Sequence, residues 1–179
     1  MNKERTEIRI TGFGGQGVVL TAYIIGRACI HADRHATMIQ SFGPEARGAS
    51  CTATLAISDR EILYPYIERP DILVAMSTEG YEKYRDELRP EGILIYESDL
   101  VHPRPFKNSF GIPSKRIAET LKKSLVQNIV MLGFITAVTG IVPVDAMREA
   151  VKASVPAGTE EINLKAYDEG AKHHQEVTA

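Results

Sequence analysis

The chain has 179 residues, 44% of them apolar and 25% charged, which suits one domain with a sizeable core and excludes the disordered and fibrous classes. Its 21 basic and 23 acidic residues give a formal charge of -2 with no Lys/Arg block, so it offers no electrostatic footprint for nucleic acid or an anionic membrane. The charged start MNKERTEIRI lacks the apolar centre of a signal peptide, and the two cysteines, Cys29 and Cys51, suit buried thiols in a reducing cytoplasm rather than disulfides or a metal cluster.

Residues 7–11 alternate into a glycine cluster and residues 18–31 then keep an apolar face, the strand, turn, helix order that opens a doubly wound sheet. Residues 36–40 form a short second strand, and 40–49 a polar loop punctuated by glycine and proline. Over residues 50–58, Cys51, Ala53, Leu55 and Ile57 alternate with Ser50, Thr52, Thr54 and Ala56, a strand with one more deeply buried face. Asp59-Arg60 is expected to turn it back into a strand over 61–64, ended by Pro65. Next come a compact strand over 71–76, Ser77 as a helix N-cap, a helix over 81–88 and a strand over 92–96, an order that predicts parallel crossovers.

Residues 101–111, rich in proline and basic side chains, are expected to run extended along an edge. Pro113-Ser114 opens a helix through Lys123, and further helices cover 126–139, 144–154 and 159–174. The longest mostly apolar stretch, 125–144, is interrupted by Gln127, Asn128, Gly133, Thr136, Thr139, Gly140 and Pro143, as in a core helix rather than a membrane span. Residues 1–179 therefore read as a single α/β domain with a Rossmann-like, doubly wound, mostly parallel sheet and a helical C-terminal extension.

Gly12-Phe13-Gly14-Gly15-Gln16-Gly17 fits G-x-G-x-x-G between the first strand and helix. Such glycines let backbone N–H groups at a helix start approach a phosphate, and the Gln16 amide can donate to phosphate or carbonyl. The alternative is that they only let helix pack on strand. A stand-alone NAD(P)-dependent oxidoreductase would need an acidic residue at the tip of the second strand, which instead ends Met38-Ile39-Gln40-Ser41, with Asp33 before it. Further on, Ser41-Phe42-Gly43-Pro44-Glu45-Ala46-Arg47-Gly48-Ala49-Ser50 sets a carboxylate and a guanidinium in a constrained loop on the expected ligand rim. Arg47 would meet anionic groups there; Glu45 and Arg47 could equally pair on the surface.

These two motifs, followed by Arg69-Pro70-Asp71-Ile72-Leu73-Val74-Ala75, Asn128 to Gly133 and Asn163 to Gly170, resemble the gamma subunit of the 2-oxoacid:ferredoxin oxidoreductases nearly end to end. The stretch from Ser154 to Lys165 looks most like the 2-oxoglutarate branch, which forms succinyl-CoA, rather than the pyruvate branch. The resemblance implies a heteromeric enzyme of alpha, beta, gamma and ferredoxin-like delta subunits that decarboxylates a 2-oxoacid, transfers the acyl group to coenzyme A and reduces ferredoxin. Thiamine diphosphate and iron-sulfur clusters would sit on the other subunits. This sequence agrees in having no Gly-Asp-Gly thiamine motif and only two cysteines.

The resemblance further implies a cytoplasmic subunit that binds no cofactor by itself, holds no catalytic or metal-binding residue and is inactive alone. It would offer Gly14, Gly15, Gln16, Gly17, Pro44, Glu45, Arg47 and Gly48 to coenzyme A. A purely structural assembly subunit is the other alternative. Many members have Tyr where Phe42 stands and Gly where Ala49 stands, which changes the contacts available at that loop.

Other conspicuous residues take blander readings. His173 and His174 are expected as solvated tail residues, His31 and His35 as caps beside Asp33, and Tyr64, Tyr66, Tyr81, Tyr84 and Tyr96 as core or interface. An isolated gamma subunit should expose apolar surface to its partners, with Ile129, Leu132 and Ile135 on one helix and Ile162 and Leu164 in the tail as candidates.

Overall fold

In the computed structural model, which describes residues 5–43 and 50–178, Ile8 and Ile10 carry one side of β1 (Arg5–Phe13) into the core, and Thr11 is buried on the other. The helix α1 (Val18–His31) follows with the expected bounds, then β2 (His35–Phe42) and β3 (Ser50–Ser58). The parallel half comprises β4 (Ile72–Ala75), β5 (Ile93–Glu97) and β6 (Ser109–Ile112), with α2 (Thr78–Tyr84) between β4 and β5. Four helices complete the chain: α3 (Ser114–Thr120), α4 (Gln127–Thr139), α5 (Val144–Lys152) and α6 (Glu160–Thr178).

The six-stranded sheet has the order β2-β3-β1-β4-β5-β6. β1, β4 and β5 are mutually parallel, as the strand and helix order predicts; β6 adds parallel to β5 with no helix between them, and β3 runs antiparallel to both β1 and β2. The reversal follows from the length of the link: a parallel crossover needs a dozen or more residues, and the connection from Phe42 to Ser50 is too short for one. Register then places Leu55 opposite Ile8 and Ala53 opposite Ile10, so the alternation read from the sequence faces the same core as β1.

No strand forms over residues 61–64, contrary to the expectation. β3 already has a partner on each side, so a strand turning back from it would find no unpaired edge. The segment crosses instead as a loop, held where the Arg5 guanidinium donates to the Tyr64 and Tyr66 carbonyls at 2.9 and 3.0 Å. Tyr64 and Tyr66 stay exposed, whereas Tyr81 and Tyr84 are buried. The edge expected over 101–111 is taken up only at its end, by β6.

Local signals set the helix ends. The Ser77 hydroxyl accepts from the Gly80 N–H at 3.1 Å and caps α2, which tightens into a 3₁₀ turn at Arg85–Glu87 rather than running on to Leu88. Helix α3 stops before Lys123 because Lys122 turns left-handed, with φ of 56°.

Helix α4 lies inside the molecule. Ile129, Leu132 and Ile135, proposed from sequence as a partner surface, are at most 1% exposed and belong to the main core. A helix apolar all round is a buried helix, and this one is covered by α6 as well as by the sheet side. Of the tail candidates, Leu164 packs against the same core. The crossing of α4 on α6 explains two of the sequence motifs. A Cβ on Gly133 would lie 1.9 Å from the Tyr167 carbonyl oxygen, and one on Gly170 1.9 Å from that of Val130. His173 and His174 are therefore not a solvated tail: α6 carries them across α4, with ring centroids 5.8 and 5.9 Å from that of Phe134.

Both cysteines are buried free thiols. Burial pushes the Cys29 thiol up to about 11, against a smaller opposing pull from Arg34, and burial also raises Cys51. Because the thiolate is the nucleophile, native Cys29 should react with iodoacetamide at pH 8 at least tenfold more slowly than in urea, roughly as its thiolate fraction falls. Equal rates in the two states, followed by peptide mass spectrometry, would refute the burial. Stability contributed by the protonated thiol is present below the unfolded value of 9.0 and is lost as pH rises towards about 11.

Candidate functional site

The chain turns from β1 into α1 through two left-handed glycines, Gly15 with φ of 96° and Gly17 with φ of 78°. Gln16 fixes this turn. Its Oε1 accepts from the Phe13 N–H at 2.7 Å, and its Nε2 donates to the Met76 carbonyl at 2.9 Å, tying the end of β1 to the end of β4. Behind the turn, a Cβ on Gly17 would stand 2.6 Å from Asn128 Cβ and Cγ, so the starts of α1 and α4 touch. Gly14 and Gly15 face outward and exposed.

A cavity of about 340 Å³ opens beside the turn, at the C-terminal ends of β1, β4 and β5, where ligands of open α/β sheets bind. Gly15 and Gln16 form one wall; Lys115, Ser124 and Gln127 supply polar groups from the C-terminal helices, and Met76, Leu100 and Leu125 are apolar. Glu97 also lines it, almost fully buried. Its carboxylate accepts from the Ser114 hydroxyl, from the Lys115 N–H at 3.3 Å and from the Asp99 N–H at 3.3 Å, so its charge is spread over three donors.

The structure thus brings Gly14, Gly15, Gln16 and Gly17 together in one turn beside a cavity. The other site residues proposed from sequence, Pro44, Glu45, Arg47 and Gly48, lie outside the described residues. The strand ends that bracket them are described: Gly43 N–H donates to the Ser50 carbonyl at 2.8 Å, and Ser50 pairs with Phe13 at the foot of the glycine turn.

Sequence reasoning missed Lys115, Glu97, Ser124 and Gln127. Only the rule that sites gather at the ends of parallel strands could have selected Glu97, and nothing local marks Lys115. Among the described residues no group of acidic, histidine or cysteine side chains could hold a metal ion, and no helix is long and apolar enough to cross a membrane.

Another cavity, of about 300 Å³, lies against α2 and is walled by Tyr81, Leu88, Arg104 and Phe106. It shares no lining residue with the cavity beside the glycine turn, and its Arg85 is held by Glu82. Topology bears on the dinucleotide reading. The neighbour of β1 on the glycine side is the antiparallel β3, not a parallel second strand presenting an acidic tip to a ribose.

The family described as Pyruvate ferredoxin/flavodoxin oxidoreductase matches residues 7–173. The KorC subunit of 2-oxoglutarate synthase from Methanocaldococcus jannaschii is 42% identical, over 98% of this chain and 97% of its own length. Its counterpart from Methanothermobacter thermautotrophicus is 44% identical over 95% of each chain. Among solved structures, the keto/oxoacid ferredoxin oxidoreductase gamma subunit of Geobacter sulfurreducens shares the fold with a TM-score of 0.84 at 34% identity, covering 94% of this chain and 95% of that one. The 2-oxoglutarate:ferredoxin oxidoreductase of Magnetococcus marinus, solved with 2-oxoglutarate, coenzyme A and succinyl-CoA bound, has the same TM-score of 0.84 at 22% identity; the match covers 96% of this chain and 31% of that one, and shows the fold alone.

The chain belongs to the gamma-subunit family of the 2-oxoacid:ferredoxin oxidoreductases and is a subunit of an oxidoreductase complex, not a stand-alone dehydrogenase. Within that family it falls in the 2-oxoglutarate branch.

Proposed function

We propose that this chain serves the coenzyme A half of a reaction in which the assembled enzyme oxidatively decarboxylates 2-oxoglutarate. In that reaction the bond to the departing carboxylate breaks, the succinyl group passes to the coenzyme A sulfur and the released electrons go to ferredoxin. Thiamine diphosphate and the iron-sulfur clusters belong to the alpha, beta and ferredoxin-like delta subunits, and the complex works in the cytoplasm. The observation that carries this reading is the glycine turn opening on a cavity at the ends of the parallel strands. Such a turn presents backbone N–H groups to phosphate, and coenzyme A is the phosphate-bearing substrate of the reaction.

In this reading Gly14 to Gly17 approach the phosphates by backbone, while Arg47 adds charge, Glu45 orients it, and Pro44 and Gly48 constrain the loop. Replacing Arg47 by Ala in the assembled enzyme should raise the KM for coenzyme A by about ten- to a hundredfold, the effect of losing one charge-assisted hydrogen bond. The KM for 2-oxoglutarate should stay nearly unchanged. If the substitution instead abolished decarboxylation measured without coenzyme A, in a complex intact by size, the loop would belong to the thiamine site. The isolated chain should neither reduce ferredoxin nor bind thiamine diphosphate; iron or thiamine diphosphate copurifying at about one per chain would refute this.

A further inference from the structure

Two long helices, α1 and α4, begin at the same cavity, α1 with an open first turn and α4 continuing from a 3₁₀ turn (Ser124–Val126) that already gives the Val126 and Gln127 N–H groups backbone acceptors. Gly17 and Val126 at their N-cap positions make no side-chain capping hydrogen bond, and neither first turn contains an acidic residue. The two helix starts meet where Gly17 packs on Asn128. Asn128 is 4% exposed, and its Nδ2 donor has no hydrogen-bond partner among the described residues. The open helix end of α1 at the cavity, with a buried, unsatisfied donor packed behind the turn, leaves a deficit of negative charge at this point of the molecule.

Lys115 stands on the cavity wall formed by the C-terminal helices, and the glycine turn forms another. It is exposed and makes no ion pair among the described residues, whereas its neighbour Arg116 is held by Asp99. Its backbone is fixed, because its N–H donates to the buried Glu97 carboxylate at 3.3 Å. Gly15 is the counterpart on the turn: a Cβ there would meet nothing within 4 Å, so a ligand can approach the backbone directly. Leu100 and Leu125, 44% and 87% exposed, form apolar parts of the lining. The cavity therefore combines one uncommitted cation, bare backbone at a helix start and exposed apolar side chains.

Resting on the coenzyme A reading above, we propose that Lys115 binds the diphosphate of coenzyme A across the cavity from the glycine turn, with the adjoining gem-dimethyl group of the ligand against Leu100 and Leu125. A diphosphate fits this pair of walls better than a terminal phosphate does. It sits inside the ligand with the gem-dimethyl group of the pantoyl unit beside it, which suits the apolar part of the lining, and it can be held from both sides by an ammonium and by backbone N–H groups.

The test uses the assembled enzyme with coenzyme A and dephospho-coenzyme A, the latter as substrate or as competitive inhibitor. Lys115→Ala should weaken both by about tenfold or more and by the same factor, because both carry the diphosphate. Lys115→Arg should recover most of the loss, and the KM for 2-oxoglutarate should not move. If Lys115→Ala weakened coenzyme A alone, so that the two ligands became equivalent, Lys115 would read the 3′-phosphate and the proposal would fail. Unchanged coenzyme A binding in Lys115→Ala, with Arg47→Ala still impaired, would overturn the role of Lys115 and leave the coenzyme A reading standing. Were neither substitution to affect coenzyme A, the coenzyme A reading itself would fall.

Discussion

Replacing Gly133 by alanine is expected to destabilise the subunit by more than about 3 kcal/mol, beyond the usual range for an added methyl group, because the new Cβ meets backbone rather than a movable side chain. The clash is with the Tyr167 carbonyl oxygen at 1.9 Å, and α4 cannot shift to relieve it without disturbing the core that its other faces complete. At about 2–4 °C per kcal/mol for a chain of this size, the melting temperature should fall by at least about 6–12 °C. Gly170→Ala should behave alike, since its Cβ would meet the Val130 carbonyl oxygen at the same 1.9 Å. The double variant should cost less than the sum of the two, because helices already pushed apart by one methyl group accommodate the other. Gly140 supplies the control: its φ of 57° imposes backbone strain, but a Cβ there meets nothing within 4 Å, so Gly140→Ala should cost only about 1–2 kcal/mol. Gly133→Ala unfolding within about 1 °C of the parent chain would show that the crossing is looser than described.

Gly17→Ala should have the next largest effect, because two independent costs fall on one residue. The left-handed backbone, with φ of 78°, costs a residue bearing Cβ about 1–2 kcal/mol, and the Cβ would also stand 2.6 Å from Asn128 Cβ and Cγ. Together they should amount to about 3 kcal/mol, or roughly 6–12 °C in melting temperature. Gly15→Ala separates the two costs, since Gly15 is left-handed but faces open space. It should lose only the backbone share. In the assembled enzyme, however, Gly15→Ala should raise the KM for coenzyme A, because its methyl group would occupy the approach to the turn. Equal melting temperatures for Gly15→Ala and Gly17→Ala would show that the contact between the starts of α1 and α4 contributes nothing to stability.

The glycine turn illustrates how much a motif reveals. G-x-G-x-x-G located the turn and predicted anion chemistry, but it could not distinguish the outward Gly15 from Gly17, which is wedged against a helix more than a hundred residues further along the chain. Gln16 is a parallel case. Its amide was legible as a donor at a helix entrance, and the structure commits it to Phe13 and Met76, so that it shapes the turn by joining two strands. The two C-terminal motifs were recognisable as a family signature, whereas their physical reason, a backbone-to-backbone crossing, required α4 and α6 to be seen together.

The sequence by itself determined what depends on neighbours along the chain: the bounds of α1, the alternating faces of β3, the Ser77 cap and the parallel order of β1, β4 and β5. Periodicity, capping chemistry and crossover length are local quantities and leave a local trace. Only the tertiary structure decided what depends on which positions were already occupied. Residues 61–64 form no strand because β2 and β1 had taken both edges of β3. Ile129, Leu132 and Ile135 are interior because α6 closes over α4. Lys115 lines the same cavity as the glycine turn because the chain after Glu97 passes through β6 before α3 begins, bringing back to the strand ends a side chain that no spacing in the sequence connects to Gly15. Burial and edge pairing are exclusive: each surface can be covered once, and that competition is settled by the whole fold and written in no single segment.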